Sequence, residues 1–204
     1  MLACGMPADP PASVTIYRWP LPYEDLLDAR PREQIDLVVI HCTELPDLAM
    51  ARRYGERVLY PKDSDRGGTG NSGHYYIDRD GSIHEFVHPE RIAHHVRGYN
   101  PRSVGIEIVN TGRYPDWLDS RHQAMDEPYS DAQIEALIGL LRQLASELPN
   151  LRSIAGHEEL DTGQVAASED PTVTVPRKRD PGPLFPWTRV MAEIALDRIP
   201  RGGV

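Results

Sequence analysis

Several residue types are scarce in this chain, and each scarcity excludes something. Only two cysteines occur, Cys4 and Cys42, so one disulfide is conceivable but a cysteine-stapled scaffold is not. Cys42 lies in an apolar run, where a small buried residue is its plainest reading. Basic residues are outnumbered, 22 Lys and Arg against 31 Asp and Glu, for a net charge of −9. That balance lacks the broad positive face nucleic acid requires; it keeps the chain soluble without naming a substrate. No apolar run approaches the roughly eighteen residues of a membrane span, and no internal repeat is visible. What remains is an ordinary composition, 40% hydrophobic and 26% charged over 204 residues, which suits one domain with a sizeable core.

The N-terminal stretch 1–34 carries Pro7, Pro10, Pro11, Pro20, Pro22 and Pro31 without clear periodicity. It reads as an arm lying over the domain or partly loose, ahead of a domain spanning 35–200. Met1-Leu2-Ala3-Cys4-Gly5 matches the end of a bacterial lipoprotein signal, but the basic segment and apolar core that precede such a cysteine are missing. A lipid anchor on Cys4 and a chance match both stand.

Beyond the arm, strand and helix signals alternate. Asp36–Thr43 is a β-branched apolar run that predicts a buried strand. A helix is expected within Leu45–Val58, then a polar glycine-rich loop over 61–73. Two β-rich runs around Asp78-Arg79-Asp80-Gly81 predict a hairpin. Ser103–Asn110 is another strand, with Ile106, Ile108 and Asn110 on one face and Glu107 and Val109 on the other. Ser130–Leu148 is the clearest helix, opened by a Ser130/Gln133 capping box. A strand at Leu151–Ala155 and a closing helix at Trp187–Arg198 follow. The class is α/β: one domain, a central mixed sheet flanked by helices.

His84-Glu85-Phe86-Val87-His88 spells H-E-x-x-H, the zinc-peptidase string. That string binds metal only on a helix, where residues four apart share a face. Here it follows a turn within a β-rich run and ends at Pro89. On a strand its histidines stand about 13 Å apart, too far to share an ion. A second constellation is more promising. His41 ends an apolar strand, His157 follows another, and Asp180 opens Asp180-Pro181-Gly182. Singly each has a bland reading, a hydrogen-bonded histidine or a routine turn, and spacing alone does not assemble them. Glu107 stands in an otherwise apolar strand, where a carboxylate is costly unless used.

VVIHCTE, SGHYYIDRDGSIHEFV, SVGIEIVN, AGHEE and KRDPGPLFPW occur in the order seen in the N-acetylmuramoyl-L-alanine amidases of the amidase 2 and peptidoglycan-recognition type. The resemblance spans about residues 36 to 190 and implies the fold of that family. It implies that His41, His157 and Asp180 hold a zinc ion (Zn2+), that Glu107 is the catalytic acid/base, and that Lys178 stabilises the oxyanion. A merely solvated basic turn is the alternative for Lys178, which lies between Arg177 and Arg179. Ala93-His94-His95 is similar to the family's Ala-Trp-His segment and implies substrate binding by His95, with His94 in place of tryptophan. His74 aligns with a hairpin histidine of structural or functional role, while Asn71, Arg97 and Tyr99 are expected near the cleft.

The implied partner is peptidoglycan or a muropeptide, and the implied reaction is cleavage between N-acetylmuramic acid and L-alanine. A monomer in the cell envelope, periplasmic or lipid-anchored, is expected ahead of a cytoplasmic protein. The chain departs from close bacterial relatives in one respect: His157 and Asp180 lie 23 positions apart instead of about ten. The added segment, around Asp161–Val175, is expected to be an extended loop that borders the cleft or bulges outward. The tyrosine that some relatives place before the hairpin histidine is Gly73 here, which fits the glutamate-based version of the chemistry. A non-catalytic binding module of the same fold is the main alternative; retention of all five implied site residues favours the enzyme.

Overall fold

A computed structural model describes residues 14–202, and Cys4 with its lipoprotein-like surroundings lies outside the described residues. The buried run after the arm forms β2 (Leu37–Cys42), and the glycine-punctuated hairpin forms β3 (Tyr75–Ile77) and β4 (Ile83–Glu85). β5 is Ser103–Ile108 and β6 is Ser153–Gly156. With β1 (Ile16–Arg18) and β9 (Asp197–Arg198) they make a seven-stranded sheet in the order β1-β4-β3-β5-β2-β6-β9. Only the β3–β4 hairpin is antiparallel; every other pairing is parallel. The class is therefore α/β with a mixed sheet, as the alternation of patterns implies.

Strand periodicity decides what lies on each face. Val38, Ile40, Val104, Ile106, Ile108 and Ile154 point to one side and pack on α2 (Asp131–Glu147) through Ile134, Leu137, Leu141 and Leu144. The capping box is present: Ser130 Oγ accepts from Gln133 N at 3.1 Å and Gln133 Oε1 accepts from Ser130 N at 3.0 Å. On the opposite face α1 (Leu48–Gly55) packs with Tyr76, Phe86 and Val109. Leu21, Tyr23 and Leu27 are buried in the same cluster, so the chain between 14 and 34 supplies an edge strand and core side chains. No described helix is long and apolar enough to cross a membrane.

The closing helix is shorter than its pattern predicts. α4 covers Trp187–Ala192 and the chain then becomes β9. Arg142 Nε donates to the Glu193 carbonyl at 2.9 Å, and the open edge of β6 recruits the residues beyond. Asp197 N donates to Arg152 O at 2.8 Å and Ile199 N to Ile154 O at 2.9 Å. An unpaired strand edge outcompetes another helical turn because it satisfies backbone groups on both sides.

Candidate metal centre

The face opposite α2 carries the polar residues of the parallel strands. On β2 the set Leu37, Val39, His41 alternates with Val38 and Ile40; on β5 Gly105 and Glu107 alternate with Val104, Ile106 and Ile108. His41 and Glu107 are register partners across these strands. β6 leads directly into α3 (His157–Leu160), placing His157 beside them at the carboxyl ends of the strands, where open α/β sheets carry their ligands. Asp180 arrives on a pinned turn: Tyr129 Oη donates to Pro181 O at 2.7 Å, and Glu158 N to Asp180 O at 3.0 Å.

His41 Nδ1 lies 2.8 Å and His157 Nδ1 3.0 Å from Asp180 Oδ2. Among the described residues, these three offer ligand atoms within 4.8 Å of one another, and all are buried. Asp180 Oδ1 is buried without a hydrogen-bond partner, which is costly unless a cation satisfies it. Burial, reinforced by the neighbouring His157, pushes His41 down to about 4 and so keeps its imidazole neutral. Burial alone would raise Asp180, but His157 beside it holds it well below the usual carboxylate range. Two imidazole nitrogens and a carboxylate fit a divalent ion with a position left for water or substrate.

The trio lines a cleft of about 490 Å³ that Glu107 and Lys178 also line. Burial pushes Glu107 well above the usual carboxylate range; Asp180 adds to this and Lys178 opposes it. Gly73 lies against this carboxylate: a Cβ there would fall 2.7 Å from Glu107 Cγ and 3.3 Å from Gly105 O. A side chain at 73 and the Glu107 side chain compete for one space.

The remaining histidines separate by role. His95 is half-buried on the cleft wall, its Nδ1 3.0 Å from His41 Nε2. His74 is fully buried: its Nδ1 accepts from Gly105 N at 3.0 Å and its Nε2 donates to Arg91 O at 3.0 Å, so it ties β5 to the segment before His95. His94 lines the cleft edge-on to Tyr60, ring centroids 5.5 Å apart. Asn71 and Arg97 line the cleft, whereas Tyr99 packs beside Leu37, Val39 and Ala155. His84 is on strand β4 beneath Tyr17 and Trp19 and outside the metal trio, as strand geometry requires.

Two features lie outside the sequence expectations. Glu44, at φ +48°, sits just past β2 and pairs with buried Arg113 through Nε and Nη2 at 2.7 and 2.9 Å. Arg113 Nη1 also donates to Pro176 O at 3.0 Å, so one guanidinium joins the strand end after His41 to the chain before Lys178. Nothing in the spacing of residues 44 and 113 signals this. The long segment between His157 and Asp180 is a β-hairpin instead of an extended loop: β7 (Gln164–Ala166) pairs antiparallel with β8 (Thr174–Pro176). The alternation Val173-Thr174-Val175 is the available signal for β8, where Val175 pairs with Val165. Ser168 N donates to Leu118 O at 2.9 Å, which docks the hairpin on the segment whose Trp117 lines the cleft.

The mixed sheet thus carries a buried His, His, Asp cluster and a partly buried glutamate at its strand ends. The profile of the family described as N-acetylmuramoyl-L-alanine amidase matches residues 31–183, and the chain belongs to that family. It is 32% identical over 134 residues to the 1,6-anhydro-N-acetylmuramyl-L-alanine amidase AmpD of Salmonella typhimurium, covering 61% of this chain and 58% of that protein. It is 34% identical over 91 residues to the N-acetylmuramoyl-L-alanine amidase AmiD of Escherichia coli, covering 45% of this chain and 27% of that protein. The matched stretch thus spans little more than half of one relative and about a quarter of the other. A solved structure of AmpD superposes over 93% of this chain and 99% of its own, with a TM-score of 0.62 and 25% identity.

Proposed function

We propose that this protein hydrolyses the amide bond between N-acetylmuramic acid and L-alanine in peptidoglycan or its fragments, with zinc held by His41, His157 and Asp180. The observation that carries this reading is the convergence, in one cleft, of a buried His, His, Asp set having an orphaned carboxylate oxygen with Glu107 and Lys178. The names of the relatives support the substrate class, and AmiD has been solved with anhydro-N-acetylmuramic acid-L-Ala-D-γ-Glu-L-Lys bound. The same substrate class supports residence in the cell envelope.

When bound, zinc supplies Lewis acidity toward the scissile carbonyl and acidifies water at the site. Glu107 takes a proton from the attacking water and delivers it to the departing L-alanine nitrogen, so the amide C–N bond is replaced by a C–O bond and a free amine. Its raised proton affinity suits a group that must both accept and return a proton near neutral pH. Lys178 faces the negative charge that develops on the carbonyl oxygen; one such donor is typically worth about 10²–10³ in rate.

Mass spectrometry of digested muropeptides tests the proposal. Zinc-loaded wild type releases peptides with a free L-alanine amino terminus, and Glu107→Ala loses about 10²–10⁴ in rate while retaining metal. Tight muropeptide binding without cleavage by zinc-loaded wild type would overturn it in favour of a binding module.

A further inference from the structure

We propose that His95 is a positioning residue for the metal centre: it sets the tautomer of His41 so that the Nδ1 lone pair faces the site, and is itself set by Ser103. The inference rests on the metal reading above and concerns which nitrogen each ring makes available.

A neutral imidazole carries one ring proton, and the nitrogen without it is the one that can coordinate. The proton positions follow from the far end of a short chain of contacts. The Tyr99 carbonyl can only accept, and the single proton of the Ser103 hydroxyl goes to it at 2.9 Å. Ser103 Oγ then offers only lone pairs to His95 Nε2 at 3.2 Å, so that nitrogen carries the ring proton. His95 Nδ1 is left as an acceptor 3.0 Å from His41 Nε2, which must donate to it. The proton of His41 is thereby placed on Nε2, and Nδ1 turns a bare lone pair toward Asp180 Oδ2 at 2.8 Å. Two lone pairs that close repel unless a cation serves both, and this is the geometry a bound metal requires.

A second observation supports the same role. The His95 ring lies on the backbone at Gly105: a Cβ there would stand 2.6 Å from ring atoms Cγ and Nδ1. Any larger residue at 105 would push the ring off His41. The segment carrying His95 is fixed too, since the His95 and Val96 amides both donate to Asn100 Oδ1, at 3.1 and 2.8 Å. With both ring nitrogens engaged, His95 has neither left for a substrate, so its place on the cleft wall serves His41. Partners of this kind typically account for 10–100-fold in metal affinity or activity.

Ser103 separates the two roles for His95, because it is fully buried and does not line the cleft. Zinc affinity of the purified full chain, measured by chelator competition, is expected to fall about 10–100-fold in His95→Ala. Ser103→Ala is expected to move in the same direction and Ser103→Thr to restore the wild-type value. In both alanine variants kcat on muropeptide falls while KM holds. Melting of the metal-free proteins confirms that the variants fold. Long-range proton–nitrogen NMR of the metal-free wild type is expected to place the His41 ring proton on Nε2. Unchanged zinc affinity in Ser103→Ala, or a raised KM with unchanged zinc affinity in His95→Ala, would overturn the inference. Failure of wild type to bind zinc would instead remove the metal reading. The NMR result still judges the relay in that case: a ring proton on Nδ1 of His41 overturns it.

Discussion

Gly73→Ala is the smallest change that should disable the proposed chemistry without touching a metal ligand. A Cβ at 73 would stand 2.7 Å from Glu107 Cγ, against an ordinary carbon–carbon contact of about 3.5–4.0 Å. Roughly 1 Å of displacement is therefore required. It must come from the Glu107 side chain, because the other close neighbour, the Gly105 carbonyl at 3.3 Å, belongs to the sheet backbone. Overpacking of this kind costs about 1–3 kcal/mol, equivalent to roughly 2–4 °C in Tm per kcal/mol for a domain of this size. A 1 Å misplacement of a reacting group costs on the order of 10² in rate. We expect kcat on muropeptide to fall by about that factor at unchanged zinc stoichiometry, measured by chromatography of the released peptide. In a Glu107→Ala background the obstructing carbons are gone, so the stability cost of Gly73→Ala should shrink below about 0.5 kcal/mol. Wild-type kcat in the single variant, or an equal stability cost in both backgrounds, would refute the steric reasoning.

Two further outcomes follow from buried charge. Arg113→Ala leaves the buried Glu44 carboxylate without its two guanidinium bonds; urea denaturation should show a loss of about 3–5 kcal/mol, with a smaller loss when Glu44→Gln is added. His74 is held well below its ordinary value, chiefly by burial and then by the Arg30 charge. Below pH 6.5 the unfolded chain takes up a proton that the folded ring refuses, so stability falls as pH drops toward the folded value, by up to ~1.4 kcal/mol per pH unit. His74→Gln should remove one proton's worth of that slope in urea titrations of the metal-free protein at pH 7, 6 and 5; an unchanged slope would contradict the assignment.

Elements were legible in the sequence where one local cause dominates. The β2 run and the Ser130/Gln133 cap specify their own structure, and strand periodicity alone sends His41 and Glu107 to the face opposite α2. Periodicity also disposed of the H-E-x-x-H string, since no strand brings His84 and His88 to one ion. The bringing together of His157 and Asp180 was legible only through family resemblance, because no local signal links residues 23 positions apart. The end of α4 is not legible because it is decided by the free edge of β6, a partner distant in sequence. Glu44 and Arg113 are hidden for the same reason: a buried ion pair leaves no periodicity. For His95 the sequence identified the residue, and only the proton inventory of its neighbours points to a structural task.

The hairpin between His157 and Asp180 is closed at its root. Arg177 N donates to Gly163 O at 2.9 Å and the Arg177 guanidinium pairs with Asp161. The polymer that separates His157 from Asp180 is therefore shorted out at 161–163 and 177, and the two candidate ligands experience only the few residues on either side. Lengthening a loop beyond such a closure costs little, about 0.6 kcal/mol per doubling. The tip around 167–173 can thus accumulate insertions or new side chains while the geometry of the candidate metal centre stays constant. The fold thus separates the proposed reaction centre from its margin, and selection can act on the second without re-solving the first.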